Sequence, residues 1–367
     1  MKSSVKEQGT DRLILQIQDL KLNFHTYRGE VKALNGVNLK LYQQEVLALV
    51  GESGCGKSVT ALAITNLLPQ NASIISGEIL FNGENLLKKS KEQMRKFRMT
   101  ECAIVFQDPA TYLNPVLQMK LQLKEAILLN KDALKQAAIA EEEGKKIRYA
   151  EFLSMKTVSN ANPDKDRKIS KRKINEMAEK LIIDILRVVK LPDPERILKA
   201  YPHELSGGMK QRAMIAMALA RRPSIFIADE ITTALDVTIQ AQILHLLKEL
   251  RRKIATSTLM ITHDLSVAAE IADRIAVMYG GNVVEVASTW SIFKQPLHPY
   301  TRLLLKAIPN ILSPVKQLQS IPGSVPDMIN PPPGCRFHPR CNLAKEVCKV
   351  GNPKLKEVEK GHEVACY

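Results

Sequence analysis

Three short strings in this sequence combine residue types that grip phosphate or move protons. The first, Gly51-Glu52-Ser53-Gly54-Cys55-Gly56-Lys57-Ser58, satisfies G-x-x-x-x-G-K-[ST]. Glycines at this spacing let backbone N–H groups wrap phosphate oxygens, Lys57 bridges the β and γ phosphates, and the Ser58 hydroxyl suits Mg²⁺. Gly51, Ser53, Gly54, Cys55, Gly56, Lys57, Ser58 and Val59 are therefore the candidate ATP contacts. The second string is Ile225-Phe226-Ile227-Ala228 followed by Asp229-Glu230, an apolar run that delivers two carboxylates. Asp229 suits the outer coordination of Mg²⁺, while Glu230 is placed to accept a proton from the attacking water, a general-base task worth about 10²- to 10⁴-fold in rate. The third, Leu205-Ser206-Gly207-Gly208-Met209-Lys210-Gln211-Arg212, opens a helix with unobstructed N–H groups, a second phosphate grip. If the two grips lie far apart in one chain, a second, facing subunit is the economical way for one nucleotide to use both.

These strings need elements to hold them. Val46–Val50 reads as a short, wholly apolar strand buried on both faces, and it runs through the glycine loop into the helix-forming TALAITNLL. Before it, LILQIQDLKLNF and GVNLKLYQQEVLALV carry turn signals at Arg28-Gly29 and Asn35-Gly36, which predicts an antiparallel entry into a mixed sheet. ISGEILFNGENL predicts a second strand pair, and a helix-rich span follows VFQDP to about residue 205. Between Ser224 and Ala287 strands alternate with helices, so crossovers and a mainly parallel sheet are expected. Residues 131–175 hold EEEGKK and DKDRKISKRK, few large apolar residues in their latter half, and read as an inserted, solvated hairpin. From about Trp290 the chain becomes proline-rich and reads as an accessory appendage.

Bulk properties exclude several classes. At 367 residues the chain exceeds one ordinary domain, and 45% hydrophobic with 25% charged residues is globular composition. No apolar run reaches the roughly 18 residues of a membrane span, and MKSSVKEQGTDR lacks the apolar stretch of a secretory signal, so a cytoplasmic place is expected. The net charge of +15 is read as solvated lysines; the basic run within 131–175 lacks the interleaved aromatics of a nucleic-acid binder.

In order along the chain, the phosphate loop, Gln107 in VFQDP, LSGGMKQR, the acidic strand end, Ala234-Leu235-Asp236 and His263 in ITHDL together resemble the ABC-family ATPases. The resemblance implies a RecA-like α/β core with an antiparallel β subdomain and an inserted helical subdomain of about 107–212, all within 11–290. It implies that Gln107 senses Mg²⁺ and the membrane partner, that Asp236 lines a dimer seam, and that His263 contacts the γ phosphate. An aromatic ahead of the loop stacks on adenine in this family; Tyr27 and Phe24 are both candidates. Ile231 departs from the proline that the family pattern usually has there, which puts in question only the local turn.

The C-terminal text HPYTRLLLKAIP, IPGSVPD, GCRFHPRCNLAKEVC and HEVAC is similar to the extension of oligopeptide and dipeptide importer ATPases, a group that includes nickel importers. This implies a peripheral protein on the cytoplasmic face of the membrane, paired with a paralogous ATPase, bound to two permeases and served by an extracytoplasmic peptide-binding protein. A soluble ABC factor acting on ribosomes or nucleic acid is the rival, but such proteins generally carry two cassettes and have no use for this extension. An exporter would need membrane helices. Within 291–367, Cys335, Cys341, Cys348 and Cys366 follow C-x₅-C-x₆-C-x₁₇-C and lack the C-x₂-C knuckle of zinc sites. Family members carry clusters on a similar pattern, so a [4Fe–4S] cluster ligated by these four, ahead of zinc or plain reduced thiols, is the expectation, crosslinking a segment with little core of its own.

Overall fold

The computed structural model describes residues 12–154, 169–233, 236–253, 256–308 and 321–367. Among these the strands, in chain order, are β1 (Leu13–Thr26), β2 (Gly29–Tyr42), β3 (Val46–Val50), β4 (Ala72–Phe81), β5 (Glu84–Asn85), β6 (Cys102–Val105), β7 (Ile225–Asp229), β8 (Ser257–Thr262), β9 (Arg274–Tyr279), β10 (Asn282–Ser288), β11 (Lys356–Glu359) and β12 (His362–Val364). The chain forms two compact units, one of residues as far as Met94 with Ser257–Tyr367, the other of Arg95–Thr256.

In the first unit, β2-β1-β4-β5 make the expected antiparallel sheet. Leu15, Ile17, Leu20 and Leu22 of β1 are buried, and the change of phase between Ile17 and Leu20 falls at a register shift where Asp19 adopts a left-handed φ of 43°. The unit's second sheet has the order β11-β12-β10-β9-β3-β8. β3 runs parallel to β8 on one edge and β9 on the other, and every residue of it is buried. A strand bonded on both edges and covered on both faces admits only apolar side chains, which is the VLALV pattern.

The second unit pairs β6 with β7 in parallel and surrounds them with helices. The helix Lys171–Val188 is capped by Ser170, whose hydroxyl accepts from Lys173 N at 3.3 Å, and buries Met177, Ala178, Leu181, Ile182, Ile185 and Leu186 at helical spacing. The first part of the expected solvated hairpin is different in the structure. The helix Lys131–Glu142 buries Ala133, Leu134, Ala137, Ala138 and Ile139, and Tyr149 donates its hydroxyl to Leu219 O at 2.7 Å from a buried position. Three of the five residues that this helix buries are alanines, so a stripe that packs well carries few large residues. Residues 155–168 lie outside the described residues.

The extension does not simply pack outside the sheet. β12 pairs antiparallel with β10 and β11 with β12, so the last strands of the chain lengthen the core sheet. At this junction the buried Glu285 carboxylate accepts from Leu297 N (2.7 Å), His298 N (3.0 Å) and His362 Nε2 (2.7 Å). His298 caps the helix Pro299–Lys306, its Nδ1 accepting from Tyr300 N at 3.1 Å. That bond needs the unprotonated nitrogen, and burial pushes the His298 pKa down to about 4. Above the unfolded pKa, 6.5, neither state carries a proton here. As pH falls from about 6.5 to 4 the unfolded chain takes up a proton that the folded chain refuses, so about 3 kcal/mol of stability drains away through that window. Urea denaturation of His298→Asn, which keeps a capping acceptor, should show a shallower loss of stability between pH 7 and 5 than the native protein; an equal slope would remove His298 as its source.

Candidate functional site

The phosphate loop leaves the C-terminal end of β3 and enters the helix Lys57–Thr65. The passage needs a glycine at position 51, because a Cβ there would fall 2.1 Å from Met278 O and 2.9 Å from Cys55 Sγ. Lys57 is buried and its Nζ donates to Gly51 O at 2.8 Å and Glu52 O at 3.1 Å, so the ammonium lies within the loop's own turn. Gly56 is the N-cap and contributes no side-chain bond to the first turn, leaving the helix end unobstructed on that side. Ser53, Gly54 and Ser58 are exposed and Val59 is half-buried. Cys55 is buried, its thiol is pushed above the ordinary range by desolvation, and its Sγ accepts from Lys57 Nζ at 4.0 Å.

Val50 is in register with Thr262, so Gly51 and His263 leave neighbouring parallel strands at the same edge, the one where such sheets take ligands. His263 is exposed, and the adjacent Asp264 caps the helix Leu265–Ile271 through Ser266 N at 2.7 Å. Tyr27 stands at the tip of the β1–β2 hairpin, 98% exposed, whereas Phe24 is half-buried and paired with Val31 and Ala72 within the sheet.

The second unit shows the same arrangement at β6 and β7. Val105 is in register with Ala228, so Gln107 and the Asp229-Glu230 pair emerge at one edge. Asp229 is buried, Gln107 is exposed, and Glu230 takes a left-handed φ of 48°. A non-glycine residue there stores roughly 1–2 kcal/mol of strain. The turn is held by Thr233, which donates its hydroxyl to Glu230 Oε2 at 3.3 Å and its N–H to Glu230 O at 3.2 Å. Ile231, the departure from the family's usual proline, is buried and acts as an apolar anchor. Ser206 caps the helix Gly207–Ala220, accepting from Met209 N at 3.3 Å, with Ser206 and Gly207 exposed and Gly208 buried. Arg212 of the same string donates to Val189 O at 2.9 Å and Gln242 Oε1 at 2.9 Å, a structural clamp that sequence reasoning did not single out. Asp236 caps the helix Val237–Lys253 by accepting from Ile239 N at 2.9 Å; Ala234 and Leu235 lie outside the described residues.

The expected iron–sulfur centre is corrected. Cys335, Cys341, Cys348 and Cys366 are free and do line one cavity of about 360 Å³. Among the described residues, however, no group of His, Cys, Asp and Glu side chains is disposed to hold a metal ion, zinc included. The sulfurs are engaged locally: Cys348 Sγ accepts from Lys345 N at 3.5 Å and Cys366 Sγ donates to Tyr367 O at 3.9 Å.

The family described as ABC transporter matches residues 34–233. This chain is an ABC transporter ATP-binding protein. A second family, described as the C-terminal region of oligopeptide/dipeptide transporters, matches residues 284–348. Among relatives of this ABC protein, the probable peptide ABC transporter ATP-binding protein y4tR of Sinorhizobium fredii is 43% identical over 97% of this chain and 95% of its own. The dipeptide transport ATP-binding protein DppD of Bacillus subtilis is 42% identical over 96% and 94%, and the oligopeptide transport ATP-binding protein OppD of Escherichia coli 40% over 98% and 94%. Solved structures agree on the fold: the dimeric ATP-binding cassette MJ0796, bound to ADP and Pi, has a TM-score of 0.54 at 24% identity, covering 75% of this chain and 99% of its own. The structure of cbiO1 of Clostridium perfringens, part of the ABC transporter complex cbiONQ, gives 0.55 at 23% over 78% and 92%. This ABC ATPase binds ATP with Mg²⁺.

The Leu205–Arg212 string carries its own steric requirement. A Cβ on Gly208 would lie 2.7 Å from Ile239 Cγ2, so Gly208→Ala must displace that side chain. Its expected cost is about 1–3 kcal/mol, as for other overpacked positions, read from the urea midpoint of the purified chain. A midpoint equal to the native one would show that Ile239 moves aside freely.

Proposed function

We propose that this chain is the ATP-hydrolysing subunit of an importer of oligopeptides or dipeptides. The observation that carries the reading is the match of residues 284–348 to the C-terminal region of oligopeptide/dipeptide transporters, joined to an ATPase whose relatives named for peptide transport align over nearly its whole length. Among the described residues no helix is long and apolar enough to cross a membrane. In this reading two permease subunits supply the pathway and this chain attaches to their cytoplasmic side. An extracytoplasmic binding protein delivers the peptide, and a paralogous ATPase completes the pair.

In this reading the loop amides and Lys57 hold the β and γ phosphates, and Ser58, Asp229 and Gln107 serve Mg²⁺, which supplies charge neutralisation of the phosphates when bound. Tyr27, free at its hairpin tip, stacks on the adenine. Glu230 accepts the proton of the attacking water and His263 contacts the γ phosphate. Ser206, Gly207 and Gly208 of one subunit face the phosphate loop of the other, with Asp236 at the seam.

Transport by the reconstituted complex tests the whole reading: peptide-loaded binding protein should stimulate hydrolysis and drive peptide uptake. Stimulation by nickel in place of peptide would refute it. Within the chain, Glu230→Gln should keep nucleotide affinity and lose about 10²- to 10⁴-fold in turnover, since the amide fits the same space without accepting a proton. Lys57→Ala should lose binding itself; normal turnover by the Glu230 variant would cancel its assigned role. Ser206→Arg should leave ATP binding intact and suppress hydrolysis in the assembled transporter by blocking closure with bulk. Unaltered hydrolysis there would sink the composite site built on Ser206, Gly207 and Gly208.

A further inference from the structure

Glu52, the second residue of the phosphate loop, is held from the C-terminal part of the chain. Arg340 reaches it in a two-pronged ion pair, Nη1 to Oε2 at 2.7 Å and Nη2 to Oε1 at 3.1 Å, with the arginine side chain only 6% exposed. The fork is fixed by its remaining donors, Nε to Pro322 O at 2.8 Å and Nη1 to Tyr279 Oη at 3.3 Å. From the other side, Glu52 N donates to the hydroxyl of Tyr300 at 3.0 Å. Tyr279, Tyr300 and Phe337 pack as a ring cluster with centroids 4.6 to 5.3 Å apart beneath these contacts. Arg336 braces the next turn, donating to Gly280 O and to Lys32 O, and Gly281 N in turn donates to Cys55 O at 2.9 Å.

Glu52 is also one of the two residues whose carbonyls hold Lys57 Nζ. A shift of Glu52 is therefore passed directly to the lysine. Its carboxylate has a second effect: a bare negative charge two residues into a phosphate-binding loop repels the ligand, and a buried bidentate arginine cancels it.

We propose that Arg340 and Tyr300 are positioning residues that set the nucleotide affinity of the phosphate loop by orienting Glu52 and neutralising its charge. The extension is thereby part of the ATP site without touching ATP, and the proposal rests on Gly51–Ser58 being that site. Because the loop holds phosphates before and during reaction alike, losing the brace raises KM and leaves kcat unchanged.

The test is ATP affinity of the full-length chain and steady-state hydrolysis by the assembled transporter, with the thermal midpoint of the chain recorded for each variant. Arg340→Met should weaken ATP binding about 10-fold, within the range common for coupled sites. Adding Glu52→Gln to Arg340→Met should restore most of that affinity, because the uncancelled charge is gone; an inert structural pin gives no such rescue. Tyr300→Phe, which removes one hydroxyl, should cost about 3-fold. Native affinity in Arg340→Met with a lowered midpoint, additive losses in the double variant, or a fall in kcat at unchanged KM would each overturn the proposal. Native affinity in Lys57→Ala would instead overturn the site assignment beneath it.

Discussion

The first unit depends on one constraint: β3 is hydrogen-bonded along both edges and buried along its whole length. Such a strand has no edge or face at which a polar group can be accommodated, so the chemistry it carries must begin where it ends. It ends at Gly51, under the carbonyl of Met278, in register with the end of β8. The phosphate loop, Lys57 and His263 are consequences of that placement. Lys57 folding back onto Gly51 O and Glu52 O shows how little freedom the loop retains.

The extension solves a stability problem by a route different from a metal crosslink. A proline-rich segment with little core was expected to need a bound centre to hold it. It instead contributes Tyr300 and Phe337 to the core formed with Val50, Val277 and Tyr279, and adds β12 to the edge of the sheet. Glu285 then gathers three donors from two places in the extension, the adjacent Leu297 N and His298 N and the distant His362 Nε2. A buried carboxylate with every such partner in place holds its surroundings to one arrangement, because losing any partner leaves a charge unsatisfied. The cysteines sit in a segment already secured by these contacts, which removes the physical reason for requiring a cluster there.

In the second unit the carboxylates owe their position to a short parallel pair. β6 and β7 bring Gln107 and the Asp229-Glu230 pair to one edge. Glu230 sits in left-handed backbone, and the surrounding turn, closed by Thr233 and anchored by Ile231, sustains that strain. Strain of this kind persists only where neighbours over-determine it, and it fits a residue whose side chain must be aimed.

The sequence alone determined the residue types and their local setting: glycines that pass a crowded strand end, VLALV as a doubly covered strand, Ser206 as the start of a helix, and the family these strings belong to. Those features are legible because each is enforced within a few residues, by sterics, capping or alternation. Contacts between distant segments were decided only by the tertiary structure. Nothing in the text around Glu52 announces Arg340, 288 residues away, and the pairing of β12 with β10 depends on a register that no local pattern states. The alanine-rich face of 131–142 was misread because burial follows the fit of a surface to its neighbours, not the size of its side chains. The four cysteines were misread for the same reason: spacing brought them to one cavity, but whether sulfurs converge or turn to nearby backbone is settled by packing.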